Sequence, residues 1–367
     1  MFASKDSVER FVDDVGLLWT SANLQSFQHP PSPFQFLRDC VAPSKPCIVR
    51  NTFDNTTKID LDGLVERYSD TEVVVAVTPD GHGDCVRNTT EGPMFVEPQE
   101  RTVELGHFRT HLREQTQHKS HADILRHTFL TSPTYEESER FEPSEGSRTG
   151  VFYYSRQNDC LRSELPELWG ELGLPRTIQW AEDAFATGPP DAVNIWIGNE
   201  HSVSSMHKDH YENLFFVLSG EKIFTLCPPA DSPFLYERPF SPGEFHQASS
   251  GSWSVQPKSG AAEKVHWIEA DVERRGDPAY ARRFPLLRYA HPITVRVQAG
   301  ECLYIPALWH HRVTQSCETV GINYWYDMRF DSPNWCYFRL CQSLTQADEE
   351  ESSIGKQDEA GRFCGGL

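Results

Sequence analysis

Residues 206–213, with the sequence MHKDHYEN, contain two residues with the spacing of metal ligands. His207 and Asp209 lie two positions apart. On an extended segment, residues with that spacing face the same side, so an imidazole and a carboxylate can converge on one metal ion. The pattern is weak when taken alone, and a solvated turn is the better explanation of an isolated copy.

A second stretch, YIPALWHHRV at residues 304–313, supplies a candidate for a third ligand. If His311 and Val313 face inward on a β segment, strand alternation turns His310 and Arg312 the other way. Two histidines and one carboxylate on one face are the ligand set of iron(II) oxygenases. Taken alone, this stretch would indicate one core histidine and one surface histidine.

Lys222 follows the first candidate ligand by fifteen residues, in SGEKIF at residues 219–224. A turn followed by a β run brings its ammonium group back beside the metal strand, where it can pair with an anionic co-substrate. A lysine after a turn is usually just exposed. In company with both metal-ligand segments, an incidental lysine is a much weaker explanation.

Short β runs separated by turn residues dominate the chain from about residue 192, which predicts an antiparallel sandwich or barrel. The predicted strands are Val193–Ile197, Asn213–Leu218, Lys222–Cys227, Ile293–Val297, Cys302–Ile305 and Thr319–Tyr326. Residues 231–290 interrupt this rhythm with proline, serine, glycine and charge. We interpret them as a long insertion, which either covers a site or is a tolerated surface loop.

The rest of the chain mixes helices and strands. Helical spacing of apolar residues predicts an amphipathic helix from Val8 to Leu18, and Ser32-Pro33 predicts the start of a second. Further predicted elements are strands at Cys47–Arg50 and Val73–Val77 with a short helix at Leu61–Tyr68 between them. The predicted organisation is an N-terminal α/β region 1–150, a β domain 151–330, a C-terminal helix 331–347 and a disordered acidic tail 348–367.

Composition limits the classes of partner and compartment. The formal net charge of −19 argues against a nucleic-acid-binding surface and favours a basic protein substrate. We expect no membrane span, because no apolar run approaches about 20 residues. The start of the chain lacks the features of a secretory or transit peptide, and the ten cysteines are scattered without a C-x-x-C pair. These features predict a cytoplasmic or nuclear protein.

The motifs above, with DAVNIWIG at residues 191–198 and NYWYD at residues 323–327, resemble JmjC-domain iron(II)- and 2-oxoglutarate-dependent oxygenases. Within that family the chain is most similar to the JmjC-only lysyl hydroxylases that are also reported as histone-tail peptidases. The similarity extends from about residue 30 to residue 344. It implies a mainly β protein with flanking helices, built on a double-stranded β-helix of the jelly-roll, cupin-like kind. It also implies Fe(2+), 2-oxoglutarate as co-substrate, and O2.

The family pattern can be transferred residue by residue. His207, Asp209 and His311 match the iron triad, and Lys222 matches the residue that binds the distal carboxylate of 2-oxoglutarate. Family members commonly have an aromatic residue and then two histidines after the tryptophan, whereas this chain has Trp-His-His-Arg at residues 309–312. Counting from either side still gives His311 as the ligand.

Four further residues match polar positions of the co-substrate pocket. Ser204 occupies a position that is often threonine, Asn213 and Asn323 match residues that line the pocket, and Tyr153 matches a tyrosine that reaches it. An ordinary buried polar group remains a fair alternative explanation for each of the four.

The resemblance implies hydroxylation of a lysine side chain on a developmentally regulated GTP-binding protein, with release of succinate and CO2. It also favours a homodimer formed through the C-terminal helix. The alternatives are a JmjC histone lysine demethylase, a metal-dependent histone-tail peptidase, and a non-catalytic binding module. The chain lacks histone-reading zinc-finger clusters and an H-E-x-x-H helix, and its intact triad argues against a binding module.

Overall fold

The structure, a computed structural model, describes residues 5–20, 24–52, 61–117, 150–171, 173–258, 260 and 263–343. The predicted acidic tail 348–367 and the end of the predicted C-terminal helix, residues 344–347, lie outside the described residues. The division into a region 1–150 and a β domain 151–330 stays a prediction.

Two mainly antiparallel sheets form the centre of the molecule. The larger sheet has the order β1 (Gln25–Phe27), β2 (Cys47–Val49), β17 (Cys302–Ile305), β11 (Tyr211–Ser219), β19 (Thr319–Asp327) and β9 (Ala192–Gly198). The smaller sheet has the order β16 (Ile293–Gln298), β12 (Glu221–Cys227), β18 (His310–Gln315), β10 (Val203–His207) and β4 (His82–Gly83). All six predicted strands from residue 192 onward are present, and the mainly β, jelly-roll fold class is confirmed.

The core between these sheets follows the alternation of the strands. Phe215 and Val217 of β11 pack in one buried cluster with Phe224 and Leu226 of β12. Residues at intervals of two point to the same side, so each sheet contributes one apolar face to this cluster. The pocket described below lies between the same two sheets.

The other face of the larger sheet is covered by helices. Phe36, in α2 (Pro33–Phe36), lies with its ring centroid 4.8 Å from that of Tyr304 of β17. The predicted start of α2 is confirmed, because the Ser32 side chain accepts a hydrogen bond from the Gln35 backbone N–H at 3.3 Å. A π-helical turn, Leu37–Val41, continues from α2.

The remaining helices have between 4 and 14 residues. They are α1 (Lys5–Leu18), α3 (Leu61–Tyr68), α4 (Leu105–Gln117), Cys160–Ser163, Pro166–Glu171, Gln179–Phe185, Pro278–Arg283 and a terminal helix at residues 333–343, with 3-10 turns at Pro229–Phe234, Val272–Arg274 and Pro285–Tyr289. The predicted α1 is present, but Leu18 is exposed instead of lying on its buried face. No described helix has the length and apolar character that a membrane crossing requires.

The segment 231–290 contains regular structure that its composition did not predict. A third sheet has the order β14 (Trp253–Pro257), β13 (Glu237–Gln247), β6 (Gly92–Glu97) and β5 (Cys85–Thr89), with β15 (Val265–Ile268) paired to β13. A fourth sheet has the order β7 (Gln99–Glu104), β3 (Glu72–Thr78) and β8 (Val151–Tyr153). In the third sheet, β6 from the first hundred residues therefore pairs with β13 of the segment 231–290.

Candidate metal centre and co-substrate pocket

The three predicted metal ligands converge. One potential ligand atom from each of His207, Asp209 and His311 lies within 4.8 Å of the other two. Pairing of β10 with β18 places His207 directly opposite His311, and a register shift between Ser204 and His207 adds one residue on the β10 side. A β-bulge of this kind re-aims the side chains beside it, which explains how two neighbouring strands direct both imidazoles to one point.

Asp209 reaches the site by a different route from the one the sequence predicted. It lies beyond the end of β10, in the turn before β11, so strand alternation does not set its direction. The backbone N–H of Leu308 donates to the Asp209 carbonyl at 2.9 Å, and Leu308 has a φ of 70°. A positive φ is rare for a bulky residue and persists where surrounding contacts enforce it. This turn joins the segment before His311 to the backbone of Asp209.

Glu212 holds the same turn from the neighbouring strand. Its carboxylate accepts hydrogen bonds from the Tyr304 hydroxyl at 2.7 Å and from the Ala307 backbone N–H at 3.2 Å. The Trp309 side chain is fully buried and donates to the Ser44 carbonyl at 2.8 Å. The residues before the third ligand are thus fixed on several sides, so the triad is positioned by rigid surroundings.

The donor set fits a divalent transition metal. Nδ1 of His207 lies 2.7 Å from the Ser205 carbonyl, and Nδ1 of His311 lies 3.0 Å from the Trp309 carbonyl. A carbonyl oxygen accepts but cannot donate, so each Nδ1 carries the proton and each Nε2 keeps its lone pair for a metal. Burial lowers the pKa of His311 to about 4, with the charge of His207 adding to the effect. The imidazole of His311 is therefore neutral at physiological pH, as a metal ligand must be.

His310 does not share this position. It is fully buried, its ring centroid lies 6.3 Å from that of Phe338 in the terminal helix, and it does not belong to the ligand cluster. The predicted opposite orientation of the two histidines is therefore present. His310 packs against a helix instead of reaching the surface.

All eight predicted site residues line one pocket. They are His207, Asp209 and His311, with Lys222, Ser204, Asn213, Asn323 and Tyr153. Lys222, Tyr153 and the two asparagines are buried, whereas His207, Asp209 and Ser204 are partly open to solvent. The pocket thus has a buried end at Lys222 and an open end beside the triad.

Lys222 is the charged group of the buried end. Its ammonium group donates to the Tyr153 hydroxyl at 2.9 Å and to Oε1 of Gln315 at 3.0 Å. Its nitrogen also lies 5.2 Å and 5.4 Å from the ring centroids of Tyr153 and Phe215. Burial lowers the pKa of Lys222 to about 7, because the described surroundings supply no counter-ion. One N–H of the ammonium group remains for an anion.

Gln315 also contacts Lys222 and was not among the predicted site residues. Its Nε2 donates to the backbone carbonyls of Asn199 at 2.6 Å and Ser202 at 3.0 Å. With both N–H groups used in this way, the amide oxygen must point toward Lys222. Strand alternation places Gln315 on the same face as His311 and Val313. This pattern could have predicted Gln315 as a residue of the site.

The two asparagines at the buried end are held by hydrogen bonds. Asn323 Oδ1 accepts from the Trp196 indole N–H at 3.0 Å, and Asn323 Nδ2 donates to Asn213 Oδ1 at 3.4 Å. Burial also raises the pKa of the Tyr153 phenol, so that side chain stays protonated.

Two further residues at the open end, Trp267 and Asp84, were not among the predicted site residues. Trp267 of β15 lies parallel to His207, with ring centroids 6.0 Å apart and an interplanar angle of 3°. Asp84 lines the pocket from the turn between β4 and β5, and burial raises the pKa of its carboxyl to about 6. The sequence around Asp84 does not predict that it lies in the site, because β4 reaches the site by pairing with β10, which is distant in sequence.

Comparison with known proteins gives a consistent result. A family profile described as a cupin-like domain matches residues 33–332. The chain is 38% identical over 321 residues to the human bifunctional peptidase and (3S)-lysyl hydroxylase JMJD7, covering 87% of this chain and 88% of that protein. It is 31% identical to JmjC domain-containing protein E of Dictyostelium discoideum, covering 89% of this chain and 90% of that protein.

A plant protein shows the same extent of similarity. The chain is 31% identical to the lysine-specific demethylase JMJ32 of Arabidopsis thaliana, covering 92% of this chain and 91% of that protein. The family profile and these relatives each extend over most of the chain. The protein therefore belongs to the cupin-like JmjC-domain family.

Proposed function

We propose that this protein is an iron(II)- and 2-oxoglutarate-dependent hydroxylase that acts on a lysine side chain of a protein substrate. The observation that carries this proposal is one pocket with a His-Asp-His cluster at its open end and a buried lysine at the other. A metal site alone would suit many reactions. The buried cation adds a requirement for an anionic co-substrate.

His207, Asp209 and His311 would hold the iron through their Nε2 atoms and the carboxylate. Three protein ligands on one face leave other positions open, as in non-haem iron oxygenases. When bound, iron(II) with 2-oxoglutarate and O2 supplies the oxidising chemistry that hydroxylates a C–H bond and releases succinate and CO2. The contribution of the protein is to bind and orient the reactants.

Lys222 would bind the distal carboxylate of 2-oxoglutarate. Tyr153 and Gln315 fix the direction of its ammonium group, which leaves one N–H for the ligand. Binding of a carboxylate would also restore the ordinary pKa of the lysine, because an opposite charge stabilises the ammonium form. We assign Ser204, Asn213 and Asn323 to the lining of the same co-substrate site.

The proposed substrate is a lysine of a developmentally regulated GTP-binding protein, in the cytoplasm or nucleus. Support comes from the similarity to a human (3S)-lysyl hydroxylase and from the net charge of −19, which favours a basic target. We also propose a homodimer formed through the terminal helix, where Leu340 is 60% exposed. Burial of this leucine against a second chain would remove apolar surface from water.

Demethylation of lysine is the second candidate. It is favoured by the similarity to an Arabidopsis lysine-specific demethylase, which covers as much of the chain as the similarity to the hydroxylase. The same pocket would serve, with a methylated lysine in place of lysine. A histone-tail peptidase is less well supported, since hydrolysis gives no role to Lys222 at the buried end.

The test is mass spectrometry of a lysine peptide from the N-terminal region of such a GTP-binding protein. Protein loaded anaerobically with iron(II) receives 2-oxoglutarate, air and the peptide, and the expected product is the peptide with one added oxygen on lysine. A trimethyl-lysine histone peptide is run in parallel and assayed for formaldehyde. Formaldehyde without peptide hydroxylation would transfer the proposal to demethylation, and succinate formation with neither product would reject both peptides as substrates.

A further inference from the structure

Asp84 is a carboxylate at the open end of the pocket for which the assigned co-substrate site has no use. Among the described residues that line the pocket, Asp84 and Asp209 are the carboxylates, and Asp209 belongs to the metal cluster. The described structure gives the Asp84 side chain no hydrogen bond or ion pair. Neighbouring acids differ, because Asp80 pairs with Arg87 at 2.6 Å and Glu97 pairs with Lys258.

The backbone fixes Asp84 relative to the metal cluster. Gly83 pairs with Ser204 in the β4–β10 ladder, and its carbonyl accepts from the Ser205 hydroxyl at 3.3 Å. The strand that holds Asp84 in place is therefore the strand that ends at His207. Asp84 itself has a φ of 50°, in the left-handed region where aspartate and asparagine occur more often than most residues with a Cβ.

An unpaired carboxylate in a partly buried pocket is costly for the folded protein. Burial raises the pKa of the Asp84 carboxyl to about 6, and the charge of Glu97 adds to this rise, while His207 and Lys258 oppose it. A cation that entered the pocket beside this carboxyl would stabilise its ionised form and supply the missing partner.

We infer that the Asp84 carboxylate binds the ammonium group of the substrate lysine, an inference that rests on the proposed function. A lysine whose carbon lies at the triad places its ammonium group within one side-chain length of the metal cluster. Trp267, parallel to His207, offers an aromatic wall for the methylene groups. Lys222 would thus bind the anionic co-substrate at the buried end, and Asp84 would bind the cationic lysine side chain at the open end.

The test is binding of two labelled peptides that differ at one residue, lysine or the uncharged norleucine. Full-length protein with iron(II) and 2-oxoglutarate is titrated without oxygen, and binding is followed by fluorescence anisotropy. We expect the wild-type protein to prefer the lysine peptide about tenfold, the effect of one charge-assisted hydrogen bond. In Asp84→Asn the two peptides should bind equally, with the affinity for norleucine and for 2-oxoglutarate unchanged.

Glu97→Gln is the matched control, because it removes one nearby negative charge that does not line the pocket. It should keep the preference for lysine. Equal binding of the two peptides by the wild-type protein, or a lysine preference that survives in Asp84→Asn, would overturn the inference. Asparagine tolerates the left-handed conformation at this position, so the variant should fold.

A second arm separates this inference from the proposed function. The same complexes are exposed to oxygen and the lysine peptide is weighed. A lysine preference that depends on Asp84 but gives no oxidised peptide would support the binding role and contradict the hydroxylase. Oxidised peptide from the wild-type protein, with the lysine preference intact in Asp84→Asn, would do the opposite.

Discussion

The two ends of the pocket differ in how their charged groups are hydrogen-bonded. At the buried end, Lys222 is held by Tyr153 and Gln315, and Gln315 is itself fixed by two backbone carbonyls. At the open end, Asp84 makes no hydrogen bond or ion pair with the described residues, and each imidazole of the triad keeps one ring nitrogen for a metal. The buried end is therefore an organised site for one fixed ligand group, whereas the open end has unused binding capacity.

In the proposed function the buried end anchors the co-substrate, whereas the open end holds the metal and selects the substrate. A site whose donors are already oriented binds its ligand without a reorganisation cost. A site with unpaired groups gains most from whatever ligand supplies the missing partner. We expect the two ends to respond separately to substitution, and the following predictions test that separation.

The largest effect is expected for His311→Ala. Loss of one of three proposed protein ligands should abolish iron binding and substrate oxidation, while the contacts of Lys222 that would anchor 2-oxoglutarate are left intact. The matched control is His310→Leu, which replaces a buried imidazole next in sequence with an apolar side chain of similar size. Iron content by metal analysis and turnover by mass spectrometry give the readout.

Iron binding and activity should survive in His310→Leu. If His310→Leu lost iron and His311→Ala kept it, His310 would be the third ligand instead of His311. If both variants kept iron, the His-Asp-His cluster would not be the metal site.

The next effect is expected for Lys222→Met. Removing the cation should weaken 2-oxoglutarate binding by at least about a hundredfold, the usual consequence of breaking a buried ion pair. Iron content should not change. Calorimetric titration of iron-loaded protein with 2-oxoglutarate under argon measures this loss, and an unchanged affinity would remove Lys222 from the co-substrate site.

The same variant has an opposite effect on stability. A fall in the pKa of Lys222 from 10.5 to about 7 costs the unliganded fold about 4 kcal/mol at pH 7. Removing the ammonium group relieves this cost, but it leaves the Tyr153 hydroxyl and the Gln315 amide oxygen without their donor. The loss of these two hydrogen bonds offsets about half of the stabilisation. Unliganded Lys222→Met should therefore be more stable than wild type by about 2 kcal/mol at pH 7.

The sign of the pH effect follows from the lowered pKa. Because the folded protein releases the proton of Lys222 before the unfolded chain does, the penalty is complete below about pH 7 and declines as the pH rises toward 10.5. The advantage of Lys222→Met should accordingly disappear by about pH 9.5. Thermal unfolding of both proteins at the two pH values measures it, and a constant advantage would show that its source is not the ammonium charge.

Part of this site was predictable from the sequence because its residues lie in or beside β runs that the sequence marks, although strand alternation does not set the direction of Asp209. His207 and Asp209 are two residues apart, and His311 and Lys222 open or follow β runs that the sequence marks clearly. Asp84 and Trp267 were not predictable, since each reaches the pocket through pairing of strands that are distant in sequence. Residues 231–290 resemble a loop in composition, yet their strands pair with β6 and supply Trp267.

The smallest effect is expected for Gln315→Leu, which removes one of the two hydrogen bonds that orient Lys222 at the buried end. The leucine cannot accept from Lys222, and it leaves the carbonyls of Asn199 and Ser202 without their donor. Because the ammonium group keeps its charge but loses one orienting contact, 2-oxoglutarate affinity should fall by about tenfold, well short of the loss in Lys222→Met.

Gln315→Glu provides the matched comparison, since a carboxylate still accepts from Lys222 but neutralises it. That variant should bind 2-oxoglutarate more weakly than Gln315→Leu does, because the added anion competes for the same ammonium group. Calorimetry of both iron-loaded variants gives the order. If Gln315→Leu bound 2-oxoglutarate as tightly as wild type, orientation of Lys222 would contribute nothing, and the buried end would act through charge alone.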